Sequence, residues 1–195
     1  MKKIILTVAT IFAFGVVSAQ EGAGFSKGDV FVSGAVGFSS DNDKNADVKE
    51  NGFVIEPRVG YFLTENIAIG GKLGYGSKKE DTAGTTTSDV SELTLGALGR
   101  YYFTPASQFS LFAGLEVDYT SSTNNLGAKV KQNGLDVNLG AGLNYFVSSN
   151  FSLEAGVGVL GFGSSKSDVS GDKGSSSFGF GGDWRAVTFG VNYKF

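Results

Sequence analysis

The stretch AVTFGVNYKF, Ala186–Phe195, alternates without a break. Val187, Phe189, Val191, Tyr193 and Phe195 share one face, and Ala186, Thr188, Gly190, Asn192 and Lys194 share the other. A period of two places those sets on opposite sides of a β-sheet. The final residue is itself a member of the apolar row, so a large ring sits directly beside the terminal carboxylate. A sheet facing water gains little from such an ending; one facing an apolar phase does.

Working back from that strand, the same alternation recurs and no helical period appears. It predicts strands over Asp29–Phe38, Gly52–Leu63, Ile67–Gly76, Val90–Phe103, Phe109–Thr120, Gly134–Val147 and Phe151–Phe162, with an eighth beginning near Trp184. In the seventh, Phe151, Leu153, Ala155, Val157 and Val159 form the expected apolar row. Each segment matches or slightly exceeds the ~9–11 residues a tilted strand needs to cross a bilayer.

The expected connections alternate in size. Thr64–Asn66, Thr104–Gln108 and Ser148–Asn150 are short, while Ser40–Asn51, Ser77–Asp89, Ser121–Asn133 and Gly163–Asp183 are long and polar. Tight turns on one side and longer loops on the other are the pattern of membrane-spanning barrels. An even strand number returns both termini to the short-turn side. Tyr61, Tyr101, Tyr145 and Tyr193 each stand two residues before a short turn or the chain end. Tyrosines at one height predict an aromatic girdle, with ring in hydrocarbon and hydroxyl at the headgroups.

The start of the chain predicts export. Lys2 and Lys3 precede an apolar run from Ile4 to Val17, and Val17-Ser18-Ala19 offers small side chains for cleavage before Gln20. The run is shorter than the ~20 residues of a membrane-spanning helix. The expected organisation is therefore a signal peptide at 1–19, a short segment at 20–28 and one barrel domain at 29–195. The formal net charge of −3, more negative once Lys2 and Lys3 are removed, gives no footing for nucleic acid. With 0 Cys, neither disulfides nor thiolate metal sites contribute.

Alternation alone does not separate a membrane barrel from a soluble ligand-binding one; the second row decides. It is dominated by Gly and small polar residues, where a water-facing surface favours Lys, Glu and Thr. Its charges are few: Glu56, Arg58, Lys72, Glu92, Arg100, Glu116, Asp118, Asp136 and Glu154. Such a row suits a narrow lumen, since eight strands enclose little more than their own side chains. Counted from the short-turn side, Arg100 and Glu154 lie low and Glu56, Arg58, Lys72 and Glu116 near mid-height. Glu92, Asp118 and Asp136 lie higher, with Arg185 as their expected partner. Opposite charges in such a space should interlock, either as structural glue or as a switchable gate.

These features together resemble the small outer-membrane beta-barrel family typified by OmpX and the transmembrane domain of OmpA. The resemblance implies an all-β fold: an eight-stranded antiparallel up-and-down transmembrane beta-barrel in the bacterial outer membrane. It also implies that Phe189, Val191, Tyr193 and Phe195 form a C-terminal assembly signal read by the barrel assembly machinery. Lipid and lipopolysaccharide would surround the barrel, and a surface ligand would be met by the loops.

Catalytic and cofactor motifs fail on context. Gly156, Gly158 and Gly161 match a dinucleotide fingerprint, but they continue a strand where the motif needs a helix start. Asp41, Asn42, Asp43, Asn45 and Asp47 resemble the start of a calcium loop, yet Ala46 and Gly52 occupy its glycine and glutamate positions. Acyl-transferring and proteolytic barrels are expected from their families to use a His base, and the chain has 0 His. The expectation is a non-enzyme without cofactor or metal. Three roles stay open: a structural or surface-interaction barrel, a narrow pore for ions or very small solutes, and a soluble barrel holding an apolar ligand.

Overall fold

The computed structural model describes residues 22–127, 129–181 and 187–195. The predicted signal peptide, its cleavage site, Trp184 and Arg185 lie outside the described residues. Nine strands occur in the described chain: β1 (Val30–Asp43), β2 (Val48–Phe62), β3 (Ile67–Thr82), β4 (Thr85–Tyr102), β5 (Phe109–Asn124), β6 (Val130–Phe146), β7 (Phe151–Ser167), β8 (Ser175–Phe180) and β9 (Thr188–Lys194). All pair antiparallel with their neighbours, and no helix is present among these residues. The sheet runs β6-β5-β4-β3-β2-β1-β9-β7-β8, and β6 also pairs with β7, so it closes into a barrel.

Nine strands occupy eight positions in the wall. The lower half of β7 pairs with β9, from Phe151↔Tyr193 to Gly156↔Thr188. Its upper half pairs with β8, from Leu160↔Phe180 to Ser165↔Ser175. The eighth position is thus built from two pieces of chain. This corrects the expected long loop over Gly163–Asp183: Phe178 and Phe180 are wall residues, exposed outward beside Phe162 and Leu160. A register shift at Leu139/Gly140 accompanies the change. It leaves Val159 out of the apolar row, and Leu160, opposite Leu139, takes the outward place instead. A β-bulge of this kind reverses which parity faces out.

The other strands outrun their expected ends on the long-loop side. Ser40 to Asp43 pair with Asn51 to Val48, and Lys78 to Thr82 with Val90 to Thr85. These stretches are polar on both faces, so their strand character carries no hydrophobic alternation. The hairpins therefore stand clear of the bilayer. At the β3–β4 tip Ala83 and Gly84 have φ of 50° and 76°, the left-handed pair that matches the twist of a two-residue hairpin turn. On the opposite side the Thr64 and Ser148 hydroxyls accept from the amides of Ile67 and Phe151 at 3.0 Å each, which fixes those short turns.

The apolar surface is turned inside out relative to a water-soluble protein. Leu95 is 61% exposed, Leu93 59% and Leu73 56%. A contiguous belt of this size around a closed barrel is a lipid-facing surface. Closure supplies the backbone hydrogen bonds that hydrocarbon cannot.

Candidate functional site in the barrel lumen

The lumen is filled in layers. Lowest, on the short-turn side, lies an aromatic layer of Phe25, Phe31, Phe62, Tyr102, Phe112 and Phe146, all buried. Four of them sit directly beside outward residues of their own strands: Phe31 beside Val30, Phe62 beside Tyr61, Tyr102 beside Tyr101 and Phe146 beside Tyr145. The pleat sends one member of each pair to lipid and the other to the lumen. Glycines make the room: a Cβ on Gly60 would strike the Phe31 ring, and one on Gly142 the Phe112 ring. Sequence reading missed this layer, although the doublets Tyr61-Phe62, Tyr101-Tyr102 and Tyr145-Phe146 carried its signal.

An amide cluster lies beside the rings. The Asn192 side-chain amide donates to Asn144 Oδ1 at 2.8 Å, to Ser152 Oγ at 3.2 Å and to Glu154 Oε2 at 3.3 Å. Ser152 Oγ donates to Asn144 Oδ1 at 2.8 Å. These groups lock β6, β7 and β9 together inside the barrel.

Charges follow. Arg100 binds Glu154 through two hydrogen bonds of 2.6 and 3.0 Å, a bidentate pairing across the lumen from β4 to β7. Its guanidinium lies 4.6 Å from the Phe112 ring centre, which joins this layer to the aromatic one. Arg58 lies 3.4 Å from Glu56, 3.7 Å from Glu154 and 3.9 Å from Glu116. Lys72 holds Glu116 and Asp118 at 2.8 Å each. Glu56, Arg58, Lys72, Arg100, Glu116, Asp118 and Glu154 therefore form one connected set drawn from five strands. Asp118 sits lower than its expected level because it and Lys72 both lie opposite Gly96, whose missing side chain lets them meet.

Glu92 and Asp136 stand above this set, and among the described residues neither forms an ion pair. A cavity of about 260 Å³ remains within the charged layer, lined by Glu56, Arg58, Lys72, Glu116, Asp118 and Glu154 among others. In the first hairpin turn Asp43 Oδ1 accepts from the amides of Asn45 and Ala46 at 2.9 and 3.2 Å, as a turn cap.

On the outer surface Tyr61, Tyr101, Tyr145 and Tyr193 all point away from the lumen, 37–47% exposed. Phe189 and Phe195 are exposed on the same face as Tyr193, and the Tyr193 and Phe195 rings meet edge to face at 4.9 Å. The Phe195 amide donates to Val30 O at 3.0 Å, tying the chain end to the start of the first strand.

Comparison with known proteins agrees with this architecture. Among solved structures, the outer membrane protein OprG from Pseudomonas aeruginosa superposes with a TM-score of 0.58 at 16% identity, covering 90% of this chain and 99% of that one. Neisserial surface protein A superposes with a TM-score of 0.55 at 18% identity, covering 87% and 98%. Both likenesses concern the fold. Comparison with curated protein sequences returns no match. The outer membrane protein beta-barrel domain family matches residues 9–195. With its closed barrel, lipid-facing belt and filled lumen, the chain belongs to that family and is a protein of the bacterial outer membrane.

Proposed function

We propose that the protein is a closed scaffold in the outer membrane that presents its long hairpins to the exterior. The observation carrying this reading is the Arg100–Glu154 pair with its neighbours Arg58, Glu116 and Lys72, which bridges the lumen from wall to wall. Buried charges held in so many mutual contacts are costly to separate, and the aromatic layer below them offers water no partner. Bulk solute has no path through both.

The four outer hairpins carry the surface-interaction role, with lipopolysaccharide around the belt and a surface ligand at the tips. Phe189, Val191, Tyr193 and Phe195 present the assembly signal to the barrel assembly machinery. The same reading assigns no catalytic work to the lumen: the chain offers 0 His and 0 Cys for nucleophilic or general-base chemistry.

A narrow pore is the second reading, favoured by the cavity of about 260 Å³ within the charged layer. Planar-bilayer recording separates the two. The scaffold reading expects no steady conductance from the unmodified protein, and a stable porin-like open state would overturn it.

A further inference from the structure

The floor of the lumen is built from two unlike sources. Five of its rings stand on wall strands; the sixth, Phe25, arrives from the segment that precedes β1. Phe25 is fully buried. Its ring stacks on Phe62 at 4.6 Å, and meets Phe146 at 4.8 Å and Tyr102 at 5.4 Å, both edge-on. It occupies the centre of the aromatic layer, where no wall strand supplies a side chain.

The segment is held at a few points. The Phe25 amide donates to Pro105 O in the β4–β5 turn at 2.7 Å, and the Gly28 amide to Phe62 O at 2.9 Å. The Lys194 ammonium donates to Gly24 O at 2.6 Å and to Gly22 O at 3.4 Å, and lies 3.8 Å from Asp29. Gly24, at φ +135°, passes so close to Ala106 that any side chain would strike its backbone. Gly28, at φ +95°, stands two residues before β1, and between them the Asp29 carbonyl accepts from the Phe62 amide at 2.9 Å, so Asp29 already belongs to the wall. Phe62 and Tyr102, by contrast, sit in strands paired on both sides over many residues.

Few backbone bonds, a left-handed glycine at the junction and one anchoring ring, with Ala23 packed beside it, mark a segment that opens independently of the wall. We propose that Gly22–Gly28 is a displaceable stopper of the periplasmic mouth. A swing about Gly28 withdraws Phe25 and lets water reach Ser152, Asn144 and Asn192, while the barrel stays closed. Lys194, on the last strand, is the latch. This holds whether or not the charged layer above conducts, so it stands apart from the scaffold reading.

The chain has no Cys, so Ser152→Cys gives a unique reporter at a site 1% exposed. Its reaction with a charged methanethiosulfonate is followed in the full chain recovered from outer membranes. Reaction is expected to be slow with Phe25 present and at least tenfold faster with Phe25→Ala; Phe25→Leu should stay within threefold of the parent. Heat-modifiable gel mobility checks that each barrel is folded. In the protein carrying no substitution, the amides of Phe25 and Gly28 should exchange with deuterium together, at least a hundredfold faster than those of Phe62 and Tyr102. A folded Phe25→Ala barrel that labels no faster overturns the stopper. Phe25 protection equal to that of Phe62 shows a fixed part of the wall and overturns its displacement. If Phe25→Ala does not fold, the exchange measurement decides.

Discussion

Arg100 on β4 and Glu154 on β7 hold each other across the lumen through two short hydrogen bonds, both side chains almost completely buried. Removing Arg100 forfeits both short bonds and, among the described residues, leaves the buried Glu154 with only Arg58 at 3.7 Å and the Asn192 amide at 3.3 Å. Arg100→Met should therefore destabilise the barrel by about 3–5 kcal/mol, read from urea unfolding in lipid vesicles. The double variant Arg100→Met/Glu154→Gln should lose much less than the two single losses added. Additive losses would show that the pair is not coupled.

The belt assignment makes depth-dependent costs. Leu115 is 47% exposed on the outer face, six residues above the start of β5, whereas Tyr145 stands near the short-turn rim. An Arg at the bilayer midplane costs about 2–4 kcal/mol and near an interface about 0–1. Leu115→Arg should accordingly cost about 1–4 kcal/mol more than Tyr145→Arg in the same unfolding assay. Equal costs would remove Leu115 from the hydrocarbon region.

Phe195 and Lys194 are neighbours with opposite duties. Phe195 is 70% exposed on the outer face and packs on Tyr193; Lys194 reaches inward to the N-terminal segment. Phe195→Asp should sharply lower the yield of folded protein in outer membranes, while Lys194→Met should leave most of it assembled. Folded yields equal for the two variants would contradict the assembly role of Phe195.

One carboxylate outside the bilayer ties stability to pH. At the β7–β8 turn the amides of Gly174 and Ser167 donate to Asp172, and these two bonds hold its carboxyl below its ordinary value of 3.8. A depressed folded-state pKa means the turn's extra stability is present above the ordinary value and is lost as pH falls through the folded one. The Gly174 and Ser167 amide resonances should stay fixed from neutrality to about pH 4 and move only below it. Asp172→Asn should move the same resonances at neutral pH and abolish the acid transition.

Much of this fold is legible in the sequence because lipid imposes a strict rule on alternate residues. Val187 to Phe195 or Phe109 to Tyr119 obey it without exception, and the Thr64 and Ser148 turns follow from their hydroxyls. Legibility fails where that rule lapses. Ser40–Asp43 and Lys78–Thr82 are polar on both faces, so pairing beyond the bilayer leaves no mark. Ser175–Phe180 resembles a loop because three serines precede its two rings and a glycine separates them. Among the lumen charges, Asp118 meets Lys72 only because Gly96 has no side chain, a relation between three strands that no single strand spells out. Phe25 is a lone ring without period, and only the folded barrel shows where it goes.

The register shift beside Val159 has a consequence for tolerance to change. Below it the odd-numbered residues of β7 meet lipid, and above it the even-numbered ones do, with β8 and β9 divided the same way. The two halves of this wall position are thus read in different frames, joined at one supernumerary residue. Deleting Val159 would therefore turn no side chain over: Leu160 would follow Gly158 directly, and Leu160 and Phe162 would still meet the acyl chains while Gly161 and Gly163 stayed inward. At that point the wall tolerates the loss of a residue that a regular strand would not.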